Sequence, residues 1–235
     1  GEVTNRPLLL EYAKTGRELI LSTGMANLDE IRQALAVLAF GLIGGKLPSI
    51  NAFLKAYEND EGQTALRDRV TLLHCTTQYP APLESINLRA MATLRDTFHL
   101  RVGYSDHSLG ILVPCAATAL GAVAIEKHFT LDCRSSGPDH SASLEPVELK
   151  QMVEAIRAID VMLGDGDKIP RGDEIKNREI ARKSLVSAQE ISEGERFSPE
   201  NMTAKRPGTG RSPMQYWSYL GNAAIKSYCA DDLID

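Results

Sequence analysis

Apolar residues fall into two alternating patterns along the first two thirds of the chain. Short apolar runs close on polar residues at Glu18 to Gly24, Arg69 to Cys75, Ser105-Asp106-His107 and Glu126-Lys127-His128. Between these runs apolar residues return at helical spacing, as in Ile31, Leu35 and Leu38, and across the Ala- and Leu-rich stretch from Leu109 to Gly121. Short apolar runs alternating with stretches of helical period predict strands followed by helices, repeated four times, and hence a parallel α/β sheet, with Glu18 to Gly24 as a buried strand that ends in polar residues. A helix is expected from Arg6 to Thr15, ended by Gly16. A second is expected from Asn27 to about Phe40, where Asn27 and Glu30 have the spacing of a capping box. Asn87 to Phe98 reads as helical. The last helix, Pro146 to Leu163, carries the clearest stripe: Leu149, Met152, Val153, Ile156 and Ile159.

Two stretches break the rhythm. Gly41 to Gly62 reads as a surface insertion with a short helical patch, Ile50 to Tyr57, and a solvated acidic edge, Glu58-Asn59-Asp60-Glu61. Residues 166–182 are charged, lack a strong stripe and are expected to be a linker. From 183 to 235 the pattern changes to short strands and turns, a compact domain near the lower size limit for an independent core. No hairpin signature precedes the linker. An eight-stranded barrel takes about 250 residues. Residues 1–165 therefore fit either an open doubly wound sheet or the carboxyl-terminal half of a barrel, and the abrupt start at Gly1-Glu2 favours the second.

Composition narrows the choice of partners. The 235 residues carry a net charge of -5, which argues against nucleic acid or a membrane surface as a partner. A hydrophobic fraction of 43% suffices for a core. No apolar run reaches the ~18 residues of a membrane span, and the first residues lack the features of a signal peptide. The widely spaced Cys75, Cys115, Cys133 and Cys229 read as free thiols, and so a cytoplasmic location is expected.

In parallel α/β units, chemistry sits at the carboxyl ends of strands. His107 and His128 close consecutive strands, with Asp106, Glu126, Lys127 and Asp139 in the same neighbourhood. Such a pair can share a metal ion, but histidines at strand ends are more often hydrogen-bonded structural residues, and the spacing fits no local zinc signature. Adjacent strand residues face opposite ways. Lys127 should therefore point away from His128, and Cys75 away from its neighbour His74. That leaves little ground for a His74–Cys75 catalytic pair.

Taken together, seven motifs resemble the bacterial N-acetylneuraminate (sialic acid) synthase family. They are STGM at Ser22, HCTTQYPAP at His74, GYSDH at Gly103, EKHFT at Glu126, GPDHSASLEP at Gly137, ARKSL at Ala181 and KRPGTG at Lys205. The resemblance covers essentially the whole chain and keeps the family order. It implies a partial TIM barrel followed by a small carboxyl-terminal antifreeze-like (SAF) domain. It implies condensation of phosphoenolpyruvate with N-acetylmannosamine to N-acetylneuraminate and phosphate, with a divalent metal, Mn2+ or Mg2+, in a domain-swapped homodimer.

By the same resemblance His107 and His128 hold the metal. Glu126 and Asp139 act on sugar hydroxyls or on the reacting water, with support of the histidines as their alternative role. Ser22, Thr77, Tyr79 and Ser105 contact phosphoenolpyruvate, although some family members have asparagine at the position of Thr77. Arg206 reaches the sugar's N-acetyl group from the partner subunit. Gly1-Glu2 resembles the tail of a family motif, K-I-x-S-G-E, whose lysine and serine lie outside this sequence. The chain alone is accordingly expected to be inactive. Legionaminate or pseudaminate synthase is the neighbouring alternative, and a metal-dependent aldolase releasing no phosphate is another. An ice-binding role for the small domain is disfavoured by Lys205, Arg206 and Arg211.

Overall fold

The computed structural model describes residues 1–235 and divides them into two compact units, Gly1–Asp165 and Gly166–Asp235. The first unit is a curled, four-stranded parallel sheet, a half-barrel in which β1 (Leu19–Ser22), β2 (Val70–Cys75), β3 (Arg101–Asp106) and β4 (Ile125–Lys127) lie in sequence order. The helices between the strands are α1 (Arg6–Lys14) before β1, α2 (Leu28–Leu42), α3 (Ile50–Glu58) and α4 (Asp60–Arg69) before β2, α5 (Ala90–Phe98) before β3, α6 (Leu112–Ala119) before β4, and α7 (Pro146–Leu163) after it.

Register sorts the side chains into two faces, because paired residues in a parallel sheet point the same way. One face carries Leu21 opposite Leu72, His74 opposite Tyr104, Tyr104 opposite Ile125, and Asp106 opposite Lys127. It packs on the helices, where Leu35, Leu38, Leu66, Leu72, Val102 and Tyr104 belong to one core. Leu35 has no exposed surface, so truncating it to alanine should cost about 2–5 kcal/mol. The other face carries Ile20 opposite Thr71, Ser22 opposite Leu73, Cys75 opposite Ser105, and Ser105 opposite Glu126. Glycine at 103 is required by packing, since a Cβ there would lie 2.5 Å from the carbonyl oxygen of Ala124.

The elements differ from the sequence reading in three places. The first strand is not buried throughout: Ile20 is 66% exposed on the open face. The acidic cluster is exposed, as expected, but it also starts a helix. Asn59 caps α4, its side chain accepting from the Glu61 N–H, and Asp60 and Glu61 form the first turn. The stretch expected to be a linker contains a helix, α8 (Asp173–Ala181), with no buried residue.

In the second unit, β5 (Ser184–Ser187) pairs antiparallel with β6 (Met202–Lys205), and a short helix, α9 (Tyr216–Tyr219), follows. Its core is Leu185, Ile191, Phe197, Met202, Ala224, Tyr228 and Ile234. The loop after β6 is held to α8 and β5. The Gly208 N–H donates to the Glu179 carbonyl at 2.7 Å, and the Ser184 hydroxyl donates to the Pro207 carbonyl at 2.6 Å. Arg206 Nε donates to the Ala181 carbonyl at 3.0 Å.

Candidate active site at the strand carboxyl ends

His107 and His128 each lie two residues beyond a residue of the open face, Ser105 and Glu126. The imidazoles meet there, with ring centroids 5.2 Å apart and planes at 73°. Tyr79 closes a third side, its ring 4.2 Å from that of His107 and 5.5 Å from that of His128. The loop bearing Tyr79 is tied to the end of β3, where the Ala81 N–H donates to the His107 carbonyl at 2.9 Å.

The tautomer of His107 is set by its surroundings. Its Nδ1 lies 2.7 Å from the Thr76 carbonyl, which can only accept, so Nδ1 carries the proton and Nε2 keeps a free lone pair. His128 Nδ1 lies 3.9 Å from Asp139 Oδ2, beyond hydrogen-bond reach. Asp139 holds a left-handed backbone, φ 69°, which aspartate tolerates better than most residues. Beneath the rings the Ser105 hydroxyl donates to Glu126 Oε1 at 2.6 Å. Burial raises the Tyr79 phenol above its usual pKa, and Cys75, Asp139 and Glu126 add to the effect. Tyr79 therefore stays a neutral hydrogen-bond donor at physiological pH.

The donor set suits a divalent ion that keeps positions open for water or substrate. A histidine whose second nitrogen is anchored on a carbonyl is the usual arrangement of an imidazole ligand. Only two protein donors face each other, and no group of three or more His, Cys, Asp or Glu side chains gathers at ion-binding distance.

Of the residues singled out in the sequence, Tyr79, His107 and His128 form one cluster, with Asp139 at its margin and the Ser105–Glu126 pair on the same face. Ser22 lies on that face at the end of β1, paired with Leu73. Thr77 packs beside Gly24, where a Cβ would lie 2.9 Å from Thr77 Cγ2. Arg206 belongs to the second unit. Asp106 and Lys127 are not with the histidines. They pair on the opposite face, Lys127 Nζ 2.6 Å from Asp106 Oδ2, with both side chains at most 2% exposed. Cys75, set aside in the sequence, does face the site: its Sγ is 3.8 Å from His107 Nδ1. Alternation along β2 puts Cys75 on the face of Leu73, but its place beside His107 follows from the pairing of Cys75 with Ser105, which the sequence does not show.

The NeuB family model matches residues 1–168. The N,N'-diacetyllegionaminic acid synthase of Campylobacter jejuni is 50% identical over 234 residues, covering 100% of this chain and 64% of the relative. Human N-acetylneuraminate-9-phosphate synthase is 31% identical over 236 residues, covering 100% of this chain and 59% of the relative. The crystal structure of N-acetylneuraminic acid (sialic acid) synthetase from Leptospira borgpetersenii, in complex with citrate, superposes with a TM-score of 0.59 at 33% identity. That match covers 75% of this chain and 53% of the synthetase. The chain thus spans under two thirds of the length of these relatives.

Proposed function

The chain belongs to the NeuB family of sialic-acid-type synthases, and from that premise we propose that its open sheet face condenses phosphoenolpyruvate with an acetamido sugar. The carrying observation is the pair of facing imidazoles, with Tyr79 across them and the Ser105–Glu126 hydrogen bond below. In the reaction the terminal methylene carbon of phosphoenolpyruvate bonds to the sugar's aldehyde carbon, and the aldehyde oxygen takes up a proton. Water then adds, with loss of a proton, to the neighbouring carbon that carries the phosphate ester, and phosphate departs from that carbon to leave the keto group. His107 and His128 would hold a divalent ion, Mn2+ or Mg2+, which when bound polarises the aldehyde. Glu126 is the acceptor for a proton from water or a sugar hydroxyl, kept in place by Ser105. Tyr79 and Ser105 donate hydrogen bonds to phosphoenolpyruvate, and Ser22 and Thr77 add hydroxyls further out along the strand ends. Asp139 orients the sugar beside His128.

The product most consistent with the relatives is a diacetamido acid of the legionaminate type, since identity is 50% to such a synthase and 31% to a sialate-9-phosphate synthase. N-acetylneuraminate, formed from N-acetylmannosamine, is the second reading. The second unit is proposed to be an antifreeze-like domain whose Arg206 reaches the sugar in a partner's barrel. The test supplies phosphoenolpyruvate, Mn2+ and either a mono- or a diacetamido hexose to the whole gene product. Phosphate and the new acid are then quantified. Phosphate release with a preference for the diacetamido sugar is expected. A carbon–carbon bond formed without phosphate release would replace the synthase reading with an aldolase.

A further inference from the structure

We propose that the buried Asp106–Lys127 ion pair is a positioning device, which sets the separation of His107 and His128 from the opposite side of the sheet. Three observations carry this. First, the pair lies where charge is costly to bury. Its face of the sheet packs into an apolar core with Leu72, Val102 and Tyr104, and desolvating two charges there is expensive. Second, its bonds are directional and bracket one histidine. Asp106 Oδ1 accepts from the Ser108 N–H at 3.1 Å, and Oδ2 accepts from the Ser108 hydroxyl at 3.0 Å, so the residues on both sides of His107 are fixed to one carboxylate. Third, the other end of the pair reaches the second histidine. Lys127 precedes His128, and its ammonium donates both to Asp106 and to the Ser108 carbonyl. The backbone beside each imidazole is therefore fastened to one polar network, and slack in that network becomes slack between the rings.

The inference concerns ring positions and stands without the metal reading. Its test replaces the pair by apolar residues of similar volume, Asp106→Leu with Lys127→Met, in the 235-residue chain. Thermal unfolding reports the fold, ring-to-ring NOEs between the two imidazoles report their separation, and titration with Mn2+ alone reports joint binding. The expected result is a chain that still folds with a lower Tm, because the buried Ser108 N–H, hydroxyl and carbonyl lose their partners, together with a marked loss of the inter-ring NOE and a ~10- to 100-fold weaker Mn2+ affinity, the range for partners that act through a ligand. A control, Val102→Ala, should lower the Tm and leave the NOE unchanged. An unchanged NOE in a folded double variant overturns the proposal. If neither parent nor variant takes up Mn2+, the metal reading fails, while the NOE still decides the positioning role. Should the double variant not fold, Ser108→Ala decides: it removes one bond of the bracket, so a weakened NOE supports the proposal and an unchanged one overturns it.

Discussion

The two faces of the half-barrel are built from the same short stretches and do opposite things. Along Ser105-Asp106-His107 and Glu126-Lys127-His128, every other residue goes to the open face, and the residue between goes to the helix side. On the open face burial is graded: Ser105 and His107 are buried, His128 is half-buried and Glu126 is exposed. On the helix side Asp106 and Lys127 are sealed, charged and fully bonded. The comparison teaches that burial, not residue type, separates a reactive carboxylate from a structural one. Glu126 has one hydroxyl partner and solvent, whereas Asp106 is committed to an ammonium and to two donors of Ser108.

The sharpest way to break this comparison is His107→Ala. The open face should lose Mn2+ affinity by more than about 100-fold, beyond the loss typical of partners that act through a ligand, and phosphate release by the whole gene product should fall to background. Calorimetric titration beside a melting curve checks it. Metal binding at parental strength, in a folded protein, would leave His107 an ordinary structural histidine.

Next in size is Arg206→Ala, which asks whether a residue outside the sheet joins the open face. Losing a charged hydrogen bond to the sugar costs on the order of 1.5–3 kcal/mol, a tenfold to hundredfold fall in kcat/KM for the sugar. The KM for phosphoenolpyruvate should hardly move. Mixing these subunits with His107→Ala subunits should restore activity if the contact crosses subunits, because one barrel in each mixed dimer then has both groups. Heterodimers that stay inactive would confine Arg206 to its own chain, where its bond to the Ala181 carbonyl is a purely local one.

A smaller effect is expected from Glu126→Gln, which keeps an acceptor for the Ser105 hydroxyl and removes the charge. About a tenfold loss in kcat with an unchanged Tm would place the role of Glu126 in chemistry, because an exposed side chain contributes little to the fold. A fall in Tm without loss of kcat would move Glu126 to the structural side of the comparison.

Much of the half-barrel could be read in the sequence because helices that bury a stripe announce it. The range of α7, Pro146–Leu163, matches the expected one residue for residue. The helices that were missed bury almost nothing. Only Gly62 and Leu66 of α4 are buried, and α8 buries no residue. Their sequences therefore carry no periodic signal. What holds α4 is the Asn59 cap, acids in the first turn and Arg67 and Arg69 in the last, which complement the helix dipole. The histidines were readable because both stand at the ends of apolar runs. That Cys75 would face His107, and that Asp106 would meet Lys127, depended on register between strands more than twenty residues apart, which no local pattern encodes.

The smallest predicted effect lies on the helix side and tests whether that face is inert in chemistry. Tyr104 has no exposed surface, and its hydroxyl has no hydrogen-bond partner. Burial first, then Asp106 and Cys75, push its phenol above the usual tyrosine range. In the unfolded chain that phenol ionises near pH ~10, and in the folded chain only at higher pH. The folded state therefore keeps its full stability below pH ~10 and loses it as pH rises from there, because unfolding then releases a proton that the native state retains. Tyr104→Phe removes both the stranded hydroxyl and this alkaline loss. Chemical denaturation at neutral pH should show a change of no more than about 1 kcal/mol, in the stabilising direction, since an unpaired buried polar group is itself a cost. At high alkaline pH the gap between variant and parent should widen, and at neutral pH phosphate release should be the same in both. A variant that loses stability in alkali as steeply as the parent would exonerate Tyr104. A variant that stays folded but loses activity would mean that the helix side is coupled to the chemistry through more than the Asp106–Lys127 pair.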